Sequence, residues 1–210
     1  KQAVQCLHDH CDPDPLLRET DDQLTYSRSK TYNQILLIDQ CVALRYMGQF
    51  DRVLETLINL NIDQYSGTIA QNKVIYYNNL ADAYIEAKDI EKAMIWQSKA
   101  RQIAADMKNP KIRESLLDTL SLNDAAILIL RGQYAEAEQA LLTQAGKQKP
   151  LVKMISAAML FAEIGIHIGN CDAVREHLNF VITNGNKVFD VRKAQNMLDN
   201  LQMSCADNVL

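Results

Sequence analysis

The sequence predicts an all-α fold built from repeated helical hairpins, and three observations carry that prediction. Gly is 7 and Pro 4 of 210 residues, whereas sandwiches and barrels need Gly- or Pro-containing turns every ~8–12 residues. Ala at 22 and Leu at 25 dominate the composition, and both are strong helix formers. Apolar residues also recur on one helical face, most clearly at Tyr77, Leu80, Ala81 and Tyr84. After a break at Lys88-Asp89-Ile90 the pattern resumes with Ala93, Trp96, Ala100 and Ile103.

Taken in order, Lys1 to His10 reads as a helix. Cys11 to Arg18 reads as a loop, stopped by the extended Asp12-Pro13-Asp14-Pro15. Thr20 and Gln23 have capping-box spacing, which starts a long helix to Met47 with a break at Ser29. Phe50 to Leu60 follows the turn at Gly48-Gln49. The next helix runs from Ser66 to Ala87 and its partner to Lys108. Asn109-Pro110 is an N-cap followed by proline in the first turn, opening a helix to Arg131. Tyr134 to Ala145 follows the turn at Gly132-Gln133. Lys149-Pro150 opens a helix to Ile168, and Asp172 to Thr183 follows Gly169-Asn170. Asn184-Gly185-Asn186 is a turn. Phe189 to Ser204 is a final helix whose polar residues, Asp190 and Lys193 among them, suit the outer face of a cap.

Residues 74–105 resemble a tetratricopeptide repeat. The family's order of aromatic, Leu, small residue and Tyr along the first helix is Tyr77, Leu80, Ala81 and Tyr84. Its two second-helix alanines are Ala93 and Ala100. The departures are Lys88 where the turn glycine is usual, Gln97 where an aromatic is usual, and Ala105 in place of the closing proline. Segments 34–65, 118–149 and 155–186 match more weakly around their turn glycines. Ala3, Leu7 and Pro15 keep the family's second-helix spacing, so 1–15 reads as the second helix of a truncated repeat. With Lys1 in place of Met, this leads to the expectation of a missing upstream segment, while 189–204 reads as the cap. The turns stand 40, 44 and 37 residues apart against about 34 in the common form, which implies helices longer by one or two turns, as in bacterial-type members. The resemblance implies a single domain, a right-handed α-solenoid of antiparallel helix hairpins.

Lys plus Arg is 22 and Asp plus Glu 26, a net charge of −4. That argues against gripping nucleic-acid phosphates. Uninterrupted apolar runs such as Ala125 to Leu130 are far short of a membrane span of about 20 residues, so no membrane contact is expected. Five cysteines at irregular spacing make no disulfide framework and suggest free thiols in a cytoplasmic or cytoplasm-facing setting.

Cys6-Leu7-His8-Asp9-His10-Cys11 offers zinc-type ligands, but its spacing matches no zinc motif, and a helix end with solvated histidines is the plainer reading. Glu163 and His167, at i,i+4, can pair as a helical couple. No P-loop, dinucleotide fingerprint, HExxH or GxSxG motif is present. No catalytic residue, metal or cofactor is therefore assigned, and the chain is read as a non-enzyme.

The resemblance implies that first-helix residues line a concave groove. The polar ones carried over include Glu86, Thr119 and Ser156, and those assigned to a ligand-binding groove are Asp39, Arg45, Tyr46, Asn78, Asn79, Asp82, Asn123, Glu163 and His167. Among the apolar ones are Ile85, Leu122, Ile129, Leu130, Met159 and Ile166. Arg45 alone is basic, which disfavours capture of a C-terminal carboxylate. Asn79 and Asn123 occupy matching positions. Their amides can pair with a peptide backbone or with neighbouring helices, and both alternatives stand. The expected function is a protein- or peptide-binding scaffold. The alternative is a ligand- or peptide-sensing module of a larger signalling protein whose effector lies elsewhere.

Overall fold

Backbone with positive φ marks the turn of every predicted hairpin. Gly48, Gly132 and Gly169 have φ of 75°, 74° and 75°, and Lys88 takes 58° at the corresponding turn. This left-handed conformation is a common helix stop, and glycine enters it without a Cβ penalty. Lys88 enters it with one.

The computed structural model describes residues 1–60, 62, 69–143 and 150–206, with side chains through Leu201. Among the described residues there are eleven helices and no strand. In order they are α1 (Gln2–His10), α2 (Asp14–Tyr26), α3 (Lys30–Tyr46), α4 (Phe50–Leu60), α5 (Ala70–Glu86) and α6 (Ile90–Ala105). They continue as α7 (Pro110–Leu130), α8 (Tyr134–Leu142), α9 (Leu151–Ile168), α10 (Cys171–Asn184) and α11 (Phe189–Ala206). The expectations at Ser66, Ala145 and Lys149 lie outside the described residues.

Local chemistry sets most boundaries. Asn109 Oδ1 accepts from the amides of Lys111 and Ile112, with Pro110 in the first turn of α7. Asn170 caps α10 through the Ala173 amide and Asp89 caps α6 through the Lys92 amide. Two expectations are corrected. Cys11 to Arg18 is not a loop: Pro13 is the N-cap of α2 and Pro15 lies in its first turn, where a missing N–H costs nothing. Thr20 and Gln23 form no capping box. Thr20 is buried inside α2, its hydroxyl donating to the carbonyls of Leu16 and Leu17, while Gln23 bonds Glu19. The break falls at Ser27–Ser29, and Ser29 caps α3 by accepting from the Tyr32 amide.

α3–α4, α5–α6, α7–α8 and α9–α10 pack as hairpins, and α3, α5, α7 and α9 pack in series. Fully buried Ala81, Ala93 and Ala100 allow the close α5–α6 approach. Gln97, one of the departures from the repeat pattern, bridges to the next hairpin. Its Nε2 donates to the Leu120 carbonyl and to Asp124 Oδ1, both at 2.8 Å.

The series then meets its own beginning. α1 packs on α2 and α9, and Ala3, Leu7 and Leu16 share one core with Ala43 of α3, Ile155 and Ala162 of α9, and Leu178 of α10. Lys187 Nζ bonds Asp12 at 3.0 Å and Asp14 at 2.8 Å. Asn186 Nδ2 donates to the His10 carbonyl at 2.8 Å. The Phe189 ring stands edge-on to Phe50 at 5.7 Å, and a Cβ at Gly48 would overlap it. The first turn of α11 therefore joins the last hairpin to the turn of the α3–α4 hairpin.

α9 departs from the sequence expectation in another way. It is long and apolar enough, by length and composition, to cross a membrane. Its 18 residues are apolar on average although Lys153, Ser156, Glu163 and His167 interrupt them. In this fold its buried positions include Val152, Ile155, Ala158, Ala162 and Ile164.

Candidate functional site

The hairpin geometry directs the first helices inward. α3, α5, α7 and α9, joined by the first turn of α11, enclose a cavity of about 630 Å³. α5 contributes Asp82, Ile85 and Glu86 to its wall; α7 contributes Leu122, Asn123, Ala126, Ile129 and Leu130. Ser156, Met159, Leu160, Glu163, Ile166 and His167 come from α9, and Arg45 and Tyr46 from α3. α7 contributes mainly apolar side chains, whereas α3, α5, α9 and α11 each add charge.

The charges form one ion pair, one three-member cluster and one carboxylate, Asp190, outside both. Arg45 Nη1 meets Asp82 Oδ2 at 3.1 Å, with both side chains about four-fifths buried. The Arg45 guanidinium also lies 4.1 Å over the Tyr46 ring. Burial alone pulls the guanidinium pKa down, but Tyr46 and Asp82 reverse this and hold it above its ordinary value. Lys193 of α11 stands between Glu86 of α5 at 3.4 Å and Glu163 of α9 at 3.1 Å. Burial likewise opposes its charge, and Glu163 and Glu86 more than offset it, so its pKa is raised. Asp190, one helical turn before Lys193, makes no ion pair among the described residues, and Ser156 Oγ lies 3.4 Å from its Oδ2. Desolvation pushes its carboxyl up to about 6; Asp82 adds to the rise, and Lys193, Arg45 and Ser156 reduce it.

Six of the nine polar groove residues meet at this cavity: Arg45, Tyr46, Asp82, Asn123, Glu163 and His167. Asp39, Asn78 and Asn79 lie off its wall. Asp39 is half-buried, and desolvation, with Glu19 of α2 adding repulsion, raises its pKa to about 6. Asn78 is 6% exposed and receives Asn123 Nδ2 at both its carbonyl and its Oδ1, at 3.1 and 3.2 Å. Asn79 is 1% exposed, and its Nδ2 has no partner among the described residues. The two asparagines that occupy matching repeat positions thus have different surroundings. Glu163 pairs across to Lys193 rather than with His167, which stacks on Tyr134 at 4.3 Å.

Sequence reasoning missed Phe189, Asp190 and Lys193 of α11, the rim residue Lys88, and the rings of Phe50 and Tyr134. Phe189, Asp190 and Lys193 do share one helical face by spacing. That spacing was the available signal, obscured by reading α11 as an outward-facing cap.

Among the described residues no group of three or more His, Cys, Asp or Glu could hold a metal ion. At the Cys6 to Cys11 cluster, burial, helped by the Asp190 charge, raises the Cys11 thiol to about 11. Burial also raises Cys41 to about 12, so both are protonated and unreactive at neutral pH. Burial first, and then Lys153, lowers the pKa of His8. Comparison with protein-family models, curated proteins and solved structures finds no match.

Proposed function

We propose that the chain is a non-enzymatic binding module, a tetratricopeptide-like right-handed solenoid of hairpins whose inner face takes a peptide or protein segment. The observation that carries this is the cavity itself: every inner helix contributes to it, and its apolar side chains stand among fixed charges. Such a mixture suits recognition, where apolar area supplies affinity and a few placed polar groups set orientation. Its volume matches a few side chains of a bound segment, not a whole helix. Free, buried Cys11 and Cys41 suit a cytoplasmic or cytoplasm-facing setting.

One observation favours a second reading, a sensing module within a larger signalling protein. Lys193 ties α11 to both α5 and α9, so a ligand entering between those helices would disturb α11 and move the end of the fold.

The test is selection from a random peptide library displayed against the purified chain, repeated with Ile166→Arg. Ile166 lines the cavity yet is 45% exposed, so the substitution leaves the core intact. Selected peptides that lose the variant support the reading. Peptides that bind both chains equally place the site elsewhere, and an empty selection removes the peptide reading.

A further inference from the structure

Among the charged and amide side chains of the cavity wall that are not exposed, the free capacity lies in acceptors, Asp190 and Asn123 Oδ1, whereas Lys88 and His167, which can donate, are exposed. Asn123, 5% exposed, donates its Nδ2 to Asn78, and its Oδ1 accepts from no described residue. Asp190 has a serine hydroxyl at 3.4 Å and, among the described residues, makes no ion pair, although Lys193 and Arg45 act on it from a greater distance. The two inner cations are already engaged, Arg45 with Asp82 and Lys193 with Glu86 and Glu163. Arg45 Nε, unpaired, is sealed from solvent and so from any ligand. Lys88 stands exposed at the rim. The wall carries four carboxylates, Asp82, Glu86, Glu163 and Asp190, against two inner cations.

A donor-only group satisfies such a wall. Ammonium and guanidinium groups have donors and no acceptor, and charge-assisted bonds to carboxylates are the strong ones. An acidic or carbonyl-rich ligand would instead offer no donor to Asp190 and Asn123 Oδ1. The chain already shows the arrangement once, in the Lys193 ammonium held by carboxylates from two different helices. The long apolar stem of a lysine or arginine also suits the Leu122, Ile129 and Met159 side of the cavity, since such stems pack on apolar surface while the head stays polar.

We propose that the bound segment is basic, presenting one lysine or arginine side chain that enters the cavity, lays its stem on the apolar wall and pairs its head with Asp190 and Asn123 Oδ1. This inference rests on the peptide-binding reading above. Lys193 then acts as a built-in competitor, because it occupies two of the carboxylates that the incoming head would otherwise find.

The test titrates the full chain with three blocked pentapeptides, acetyl-Ala-Leu-X-Leu-Ala-amide, with X as Lys, Gln or Glu, and with free 1,5-diaminopentane, by calorimetry. The Lys peptide should bind about tenfold or more tighter than the Gln peptide, and the Glu peptide should be weakest. Asp190→Asn should weaken the Lys peptide about tenfold, whereas Lys193→Gln should tighten it. A purely structural role for these residues would move both variants in the same direction. Equal binding of all three peptides overturns the basic-segment inference and leaves peptide binding standing. Binding of the free diamine with none of the peptides overturns both. Asp190→Asn without effect, or Lys193→Gln weakening the Lys peptide, also overturns the inference.

Discussion

At the scale of single residues, conformation and desolvation make opposite demands on the chain. Lys88 holds φ of 58° where the other three hairpins use glycine. Lys88→Gly should therefore raise stability by up to about 1 kcal/mol, the strain relieved outweighing the added freedom of the unfolded chain. Urea unfolding of the two proteins measures this, and an unchanged or lower midpoint contradicts it. Asp190 and Asp39 both have carboxyls raised to about 6 in the folded protein, against about 3.9 in an unfolded chain. The folded state then binds the extra protons between those values. Their stabilising contribution is complete below about pH 4 and is lost as pH rises through about 6. The groups facing Asp190 are Lys193 on its own helix, Arg45 and Tyr46 of α3, Asp82 of α5, Ser156 of α9 and the Cys11 thiol at the end of α1. The difference in stability between wild type and Asp190→Asn should therefore change across pH 4–7 in favour of the variant and level off above. A pH-independent difference would show that Asp190 is solvated as in the unfolded chain.

At the scale of elements, the helices announced by periodicity and caps were legible, and those governed by distant contacts were not. Asn109-Pro110, Gly132 and Gly169 act locally, so their meaning can be read in a few neighbouring residues. Pro13 and Pro15 were misread because proline stops one helix and starts the next with the same chemistry, and only the Leu16 packing of α2 decides which. Six of nine polar groove residues were reachable because the hairpin repeat fixes which helical face turns inward. Asn78 and Asn79 were not separable from Asn123, since their burial depends on how closely α5 meets its neighbours. α11 was the largest miss. Its inward face is set by Phe189 against Phe50 and by Lys193 between two helices distant in sequence, and none of these contacts is local. Phe189→Ala should speed amide hydrogen exchange through α11 while α6, on the far side of α5, stays protected. Equal acceleration in α6 would mean that α11 does not behave as a separable element. Gly48→Ala should produce a similar loosening of α11, whereas Gly132→Ala, with open space around its missing Cβ, should cost only backbone strain.

At the scale of the molecule, the meeting of α1 with α9 and of α11 with the first hairpin turns a row of hairpins into a closed circuit around the cavity. In an open repeat array each unit contacts its neighbours only, and damage at one end stays at that end. Here Leu7, 1% exposed, sits in the same core as the last hairpin. Leu7→Ala should cost about 2–5 kcal/mol and lower the whole unfolding transition, with α9 and α10 losing exchange protection together with α1. Loss confined to α1 and α2 would show that the two ends are independent. Lys187 fastens the same junction from the surface, and exposed ion pairs of this kind contribute at most about 1 kcal/mol, so the apolar seal carries most of the closure.

The most direct measurement of the account is an amide-shift map of the isotope-labelled full chain titrated with a library-selected peptide. Binding in the cavity predicts perturbations on the inward faces of α3, α5, α7 and α9 and on the first turn of α11, with Asn123, Glu163 and Asp190 among the residues most affected. Perturbations concentrated on α4, α6, α8 and α10, with the cavity residues unmoved, would contradict it.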